Sequence, residues 1–72
     1  SPNEQLFLET IRSMRKDENG FSSKQEIVNE LKTSKMTQPT IYRLFNKYKS
    51  KNMFEENKVG RSVYLKLKEE KK

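Results

Sequence analysis

The spacing of the apolar residues changes once along this chain, and that change limits what it can fold into. Ile41, Leu44, Phe45 and Tyr48 recur at i, i+3, i+4 and i+7, the spacing of one buried helix face. Beyond Gly60 the pattern alternates instead. Val63, Leu65 and Leu67 are interleaved with Tyr64 and Lys66, as in a strand with one face covered. A helix over about 37–51 must therefore lead into a hairpin over about 54–67. Phe54 to Asn57 reads as its first strand, Asn57-Lys58-Val59-Gly60-Arg61 as the turn, and Arg61 or Ser62 to Leu67 as the return.

Two further helices precede this unit. Phe7, Ile11 and Met14 carry a helical stripe, widened by Leu6 and Leu8, that predicts a helix over about 4–16 with Arg12, Arg15 and Lys16 near its end, where cations suit the dipole. Asp17-Glu18-Asn19-Gly20 breaks the pattern, since Asn-Gly is a strong turn signal, and Phe21-Ser22 reads as a very short strand. Ser23-Lys24-Gln25-Glu26 has the capping-box order. The Ser oxygen can accept from the Glu26 amide while the Glu26 side chain reaches back, which starts a helix over about 23–32 with Ile27, Val28 and Leu31 on its inner face. Thr37 is placed to cap the third helix, with Pro39 tolerated in the first turn because amides there have no intrahelical partner. The second helix, a short turn and the third make a helix-turn-helix. The expected core is Phe7, Ile11, Phe21, Ile27, Leu31, Ile41, Leu44, Phe45, Tyr48 and Phe54. The expected fold is thus a small α+β domain over 1–72, three helices with a two- or three-stranded C-terminal sheet, and the charged run Lys68 to Lys72 is expected to fray.

Composition removes most kinds of chemistry. With no Cys and no His there is no thiol nucleophile, no thiolate or imidazole metal site, no disulfide and no Ser-His-Asp triad. Gly20 and Gly60 are the only glycines and lie in unrelated turns, so there is no Gly-rich phosphate loop. Glu55-Glu56 and Glu69-Glu70 are adjacent pairs whose side chains point apart, a poor arrangement for paired-carboxylate catalysis. A domain of 72 residues buries only about 60% of its unfolded surface and has no room for a deep catalytic cavity. The expectation is a non-enzyme without cofactor or metal. Its longest apolar run, Leu6-Phe7-Leu8, is far short of a membrane span. A cytoplasmic, nucleoid-associated protein is expected, or a nuclear one if the source is eukaryotic. The chain opens Ser1-Pro2 without Met, which fits a processed chain or a domain excised from a longer one.

Charge points to the partner. Of the net +6, residues 1–34 contribute 5 − 6 = −1 and residues 35–72 contribute 11 − 4 = +7. An anionic partner is expected to meet the C-terminal half. The plain alternative is a solvated Lys-rich surface. The regular apolar spacing, at 31% hydrophobic content, argues against a disordered basic segment. At 100° per residue the face of the third helix opposite its apolar stripe holds Pro39, Tyr42, Arg43, Asn46, Lys47 and Ser50, with Thr40 at the margin.

Met36-Thr37-Gln38-Pro39-Thr40-Ile41-Tyr42-Arg43-Leu44-Phe45 resembles the S-x-x-T-V-x-R-x-L entry into the recognition helix of MarR-like winged helix-turn-helix regulators. Lys51-Asn52-Met53-Phe54-Glu55 resembles their K-G-L-I-E segment, and Gly60-Arg61-Ser62-Val63-Tyr64-Leu65 the return strand of their wing. Asn52 stands where those families often have Gly, and tolerates the same left-handed backbone. The resemblance implies a winged helix that binds double-stranded DNA. A major groove about 12 Å wide admits one helix. Gln38, Thr40, Arg43 and Asn46 would read bases, since Arg pairs with guanine, Asn or Gln with adenine, and Thr offers a methyl to thymine. Thr37, Tyr42, Lys47, Lys24, Lys35, Lys49 and Lys51 would contact the backbone, which sets affinity rather than sequence choice. Lys58 and Arg61 on the wing would enter the minor groove or grip phosphate, with a preference for A·T-rich DNA. The role implied is transcription regulation, or else replication, plasmid maintenance or chromosome organisation. A winged helix used for protein contacts, and RNA binding, are the alternatives. The helix that builds a dimer after the wing in many MarR-like proteins is missing, so this segment gives homodimerisation no support.

Overall fold

The computed structural model describes residues 2–68. The expected fraying beyond Lys68 and the Glu69-Glu70 pair lie outside the described residues. In chain order the elements are α1 (Pro2–Ser13), β1 (Ser22–Ser23), α2 (Lys24–Thr33), α3 (Gln38–Ser50), β2 (Phe54–Val59) and β3 (Ser62–Leu67). The result is a small α+β domain in which three helices pack with one three-stranded antiparallel sheet of order β1-β3-β2.

Each helix ends where its last carbonyls find other donors, from a side chain at α1 and from the following backbone at α2 and α3. α1 starts at Pro2, whose missing amide has no use in a first turn, and stops at Ser13 rather than at the expected Lys16. Lys16 folds back, its ammonium donating to the carbonyls of Ile11 (3.2 Å), Arg12 (2.6 Å) and Met14 (2.9 Å), so these end groups are satisfied without further helix. The Asp17 carboxylate then accepts from the amides of Asn19 and Phe21, both at 2.9 Å, and closes the loop around Gly20, whose φ of +88° suits glycine.

Ser23 caps α2 as expected, its hydroxyl accepting from the Glu26 amide at 3.3 Å. The Glu26 carboxylate, expected to reach back to the cap, lies instead 3.7 Å from the Arg15 guanidinium. Thr37 caps α3 only through its backbone: its carbonyl accepts from Ile41 at 3.0 Å, while its hydroxyl donates to Thr40 Oγ1 at 3.0 Å. The expected side-chain cap is therefore absent at Thr37.

α2 and α3 close with the same device. Met36 N donates to Leu31 O (3.1 Å) and Lys35 N to Lys32 O (2.9 Å). At the end of α3, Met53 N donates to Tyr48 O (3.0 Å) and Asn52 N to Lys49 O (2.9 Å). Both are Schellman motifs, and both need a left-handed residue at the turn: Lys35 has φ +71° and Asn52 has φ +60°. The hairpin is tighter than the sequence suggests. β2 continues through Val59, Val59 faces Ser62, and only Gly60 and Arg61 form the turn, with Gly60 at φ +61°. A positive φ confined to the first central residue is the signature of a type II′ turn, whose twist matches the flanking strands.

The core joins the inner faces of all three helices to Phe54 of β2 and Leu65 of β3. Phe7 is its centre: its ring meets Phe45 edge-on at 4.9 Å, stacks on Tyr48 at 5.6 Å and meets Phe54 at 6.3 Å. Such ring pairs add about 0.5–1.5 kcal/mol each beyond the area they bury. Phe21, expected in the core, is half-exposed. Ser22 pairs with Leu65 and takes the inward position, so alternation turns Phe21 to the outer face, under the Lys66 ammonium 5.7 Å from its ring centroid. Val28, Met36 and Leu65 complete the core in its place.

Candidate nucleic-acid interface

α3 presents Gln38, Pro39, Tyr42, Arg43 and Asn46 to solvent because its other stripe is consumed by the core. Thr40, at the margin, is half-buried and accepts the Thr37 hydroxyl. No carboxylate lies between Glu30 and Glu55 in the sequence, nor between Glu56 and Lys68, so α3, its flanking turns and β3 are free of negative charge.

Three elements converge beside this face. Lys24 and Gln25 from the first turn of α2, Tyr42 from α3, Arg61 from the hairpin turn and Ser62 from the start of β3 line one cleft of about 390 Å³, with Val28 and Val63 as its apolar part. Tyr42 is 39% exposed, one wall of the cleft rather than a core ring. The Lys24 ammonium lies 6.0 Å from the Tyr42 ring centroid and 5.1 Å from that of Phe45, held near aromatic faces without being neutralised. The hairpin turn and α3 thus share one side of the molecule at Arg61 and Tyr42. Val59, 59% exposed, adds an apolar side chain next to the turn.

The cations expected on the DNA backbone divide into two groups. Lys47 is half-buried and bonded to the Glu4 carboxylate of α1, which also accepts from the Tyr48 hydroxyl at 3.4 Å. The bond to Lys47 holds the Glu4 carboxyl below its ordinary pKa, and the same bond raises the Lys47 ammonium; burial, then the Glu4 charge, raises the Tyr48 phenol. Lys47 is therefore engaged in an intramolecular pair, and a phosphate contact by it would compete with Glu4. Lys49 leans toward Glu56 of β2 at 3.7 Å, an exposed contact that a stronger anion can displace. Lys24, Lys35, Arg43, Lys51, Lys58 and Arg61 form no ion pair with a described carboxylate.

Gln25 and Ser62 are not legible as lining residues from the sequence. Their neighbours Lys24 and Arg61 are, through charge, and adjacency to those cations is the available signal. The partnership of Lys47 with Glu4, separated by 43 positions, has no local signal at all. Among the described residues no group of acidic side chains could hold a metal, and no helix is long and apolar enough to cross a membrane. No protein-family model matches this chain, and no curated protein or solved structure does either.

Proposed function

We propose that this chain is a winged helix-turn-helix domain that binds double-stranded DNA, with α3 in the major groove and the β2–β3 hairpin as the wing on phosphate or in the adjacent minor groove. The observation that carries the reading is the convergence of Lys24, Tyr42 and Arg61 on one cleft beside the exposed, carboxylate-free face of α3. A phosphodiester strand crossing that cleft would meet cations from α2 and the hairpin turn while α3 reaches the bases. Gln38, Thr40, Arg43 and Asn46 are the base-reading set. Lys24, Lys35, Thr37, Tyr42 and Lys51 are the backbone set, Lys49 joins them when its pair with Glu56 opens, and Lys58 and Arg61 act from the wing. Either transcription regulation or the maintenance and organisation of DNA would use such a module.

A winged helix serving protein contacts would expose apolar side chains on α3, and Tyr42 is the one large hydrophobic that α3 exposes. Single-stranded RNA would call for a platform of several rings. The test is a chemical-shift map recorded with one A·T-rich and one G·C-rich duplex. The expected perturbations fall on Lys24, Gln38, Arg43, Asn46 and Arg61, stronger with the A·T-rich duplex. Unmoved resonances on α3 and at the hairpin turn would end the proposal.

A further inference from the structure

The sheet has one open side. In the order β1-β3-β2 no strand lies beyond β2 among the described residues, and Glu55 to Val59 are all exposed. Val59 and Ser62 flank the two-residue turn, which makes them a hydrogen-bonded pair, and alternation gives the same bonding to Asn57 with Tyr64 and to Glu55 with Lys66. The amide and carbonyl groups of Phe54, Glu56 and Lys58 therefore point away from β3, a row open to a further strand.

Charge on such an edge ordinarily discourages pairing. In β2 it selects a partner instead. Two identical strands paired antiparallel about a twofold axis set one residue opposite its own copy. Centred on Glu55, Glu56 or Lys58, that arrangement faces like charges. Centred on Asn57, it sets two amides face to face, with Glu56 opposite the second copy's Lys58 and Lys58 opposite the second copy's Glu56. Glu56 and Lys58 are also residues whose backbone groups are open, so the same two pairs exchange main-chain hydrogen bonds. Lys58 has no ion pair with a described carboxylate, and the exposed contact of Glu56 Oε2 with Lys49, at 3.7 Å, leaves the other oxygen for a second cation.

We propose that two copies of this chain join through the free edges of β2, antiparallel about Asn57, merging their two sheets into one. The join needs no helix after β3. A contact of this length is small, so the dimer is weak, with Kd on the order of 0.1–1 mM. At the dilution of anisotropy titrations the chain is then monomeric, and Lys58 is free for phosphate.

Sedimentation equilibrium without nucleic acid, at concentrations spanning that Kd, is the test, and the natural chain is expected to approach the dimer mass. Glu56→Lys sets lysine opposite lysine at both crossings, and Lys58→Glu sets glutamate opposite glutamate, so each variant alone should associate at least about tenfold more weakly. Both sites are exposed, so neither change disturbs the core. Mixed in equal amounts, the two variants regain both opposite-charge pairs and should associate within about threefold of the natural chain. An isotope-filtered NOE between labelled and unlabelled copies should connect the Glu56 amide to the Lys58 amide across the join. A natural chain that stays monomeric, single variants that associate as well as it does, a mixture that stays monomeric, or contacts between copies at other residues would each overturn the proposal. No duplex is present, so none of these outcomes bears on the DNA reading.

Discussion

The Lys47 ammonium of α3 is bonded to the Glu4 carboxylate of α1, so a cation counted among the exposed residues of the third helix is fastened to the first. The Tyr48 hydroxyl joins the same carboxylate, and Tyr48 stacks on Phe7. The pair therefore ties the polar edge of α3 to the centre of the core.

This link predicts an acid-dependent component of stability. The folded pKa of Glu4 is depressed, so its contribution is fully present above the ordinary carboxyl value and is lost as pH falls through the lower folded value. Lys47 works in the opposite window. Its raised folded pKa keeps its contribution intact below the ordinary lysine value and removes it as pH rises through the folded one. Urea unfolding of the natural chain and of Glu4→Gln should differ at neutral pH and converge in acid. Lys47→Ala should reproduce the stability loss while leaving the salt dependence of duplex binding unchanged. A lower salt slope in Lys47→Ala would return Lys47 to the interface.

Arg43 differs from Lys47 although the two belong to the same helix. It is exposed and pairs with no described carboxylate. If it forks onto a guanine, Arg43→Ala should lose about 1–3 kcal/mol of duplex affinity and relax preference at one base pair. Competition among duplexes varied one position at a time measures this. Equal loss on every sequence would confine Arg43 to phosphate.

For the hairpin turn, the expected outcome concerns salt rather than sequence. Each phosphate neutralised by a protein cation contributes about 0.9 to the slope of log K against log salt on duplex DNA. Lys58→Ala combined with Arg61→Ala should lower that slope by about 0.9 for each phosphate left without its cation. Anisotropy titrations across a salt series would show it. An unaltered slope would take the hairpin out of the interface.

Sequence patterns and structure agree where the signal is local. The stripe of Ile41, Leu44, Phe45 and Tyr48 is buried as its spacing requires, and Asn52 adopts the left-handed backbone that its place after α3 calls for. The exposed face of α3 follows from the same periodicity. Disagreements arise where a contact spans the chain or where one residue decides a face. Phe21 reads as core by residue type, yet the pairing of Ser22 with Leu65 reverses its direction, and nothing near Phe21 announces that register. Helix α1 stops early because Lys16 satisfies its last carbonyls, a role its position in the sequence shares with many solvated lysines. The cleft at Tyr42 depends on how α2, α3 and the turn meet, which periodicity does not address.

Lys35 and Asn52 occupy equivalent places in two Schellman motifs, both with positive φ, but only Asn52 is a residue type suited to it. A lysine held at φ +71° carries strain that glycine would not, against which stands the greater freedom glycine has in the unfolded chain. The balance predicts that Lys35→Gly raises stability by about 0.5–1 kcal/mol, or roughly 2–8 °C in Tm for a domain of this size. Lys35→Ala keeps the strain and removes only the charge. If Lys35 contacts phosphate at the entry to α3, both variants should lose the same amount of salt-dependent duplex affinity, while only the glycine variant melts higher. Strain at Lys35 would then be the trade for a cation beside the bound backbone. Equal melting temperatures for the two variants would show that the left-handed turn costs nothing here, and unchanged affinity in both would leave the lysine without a role in binding.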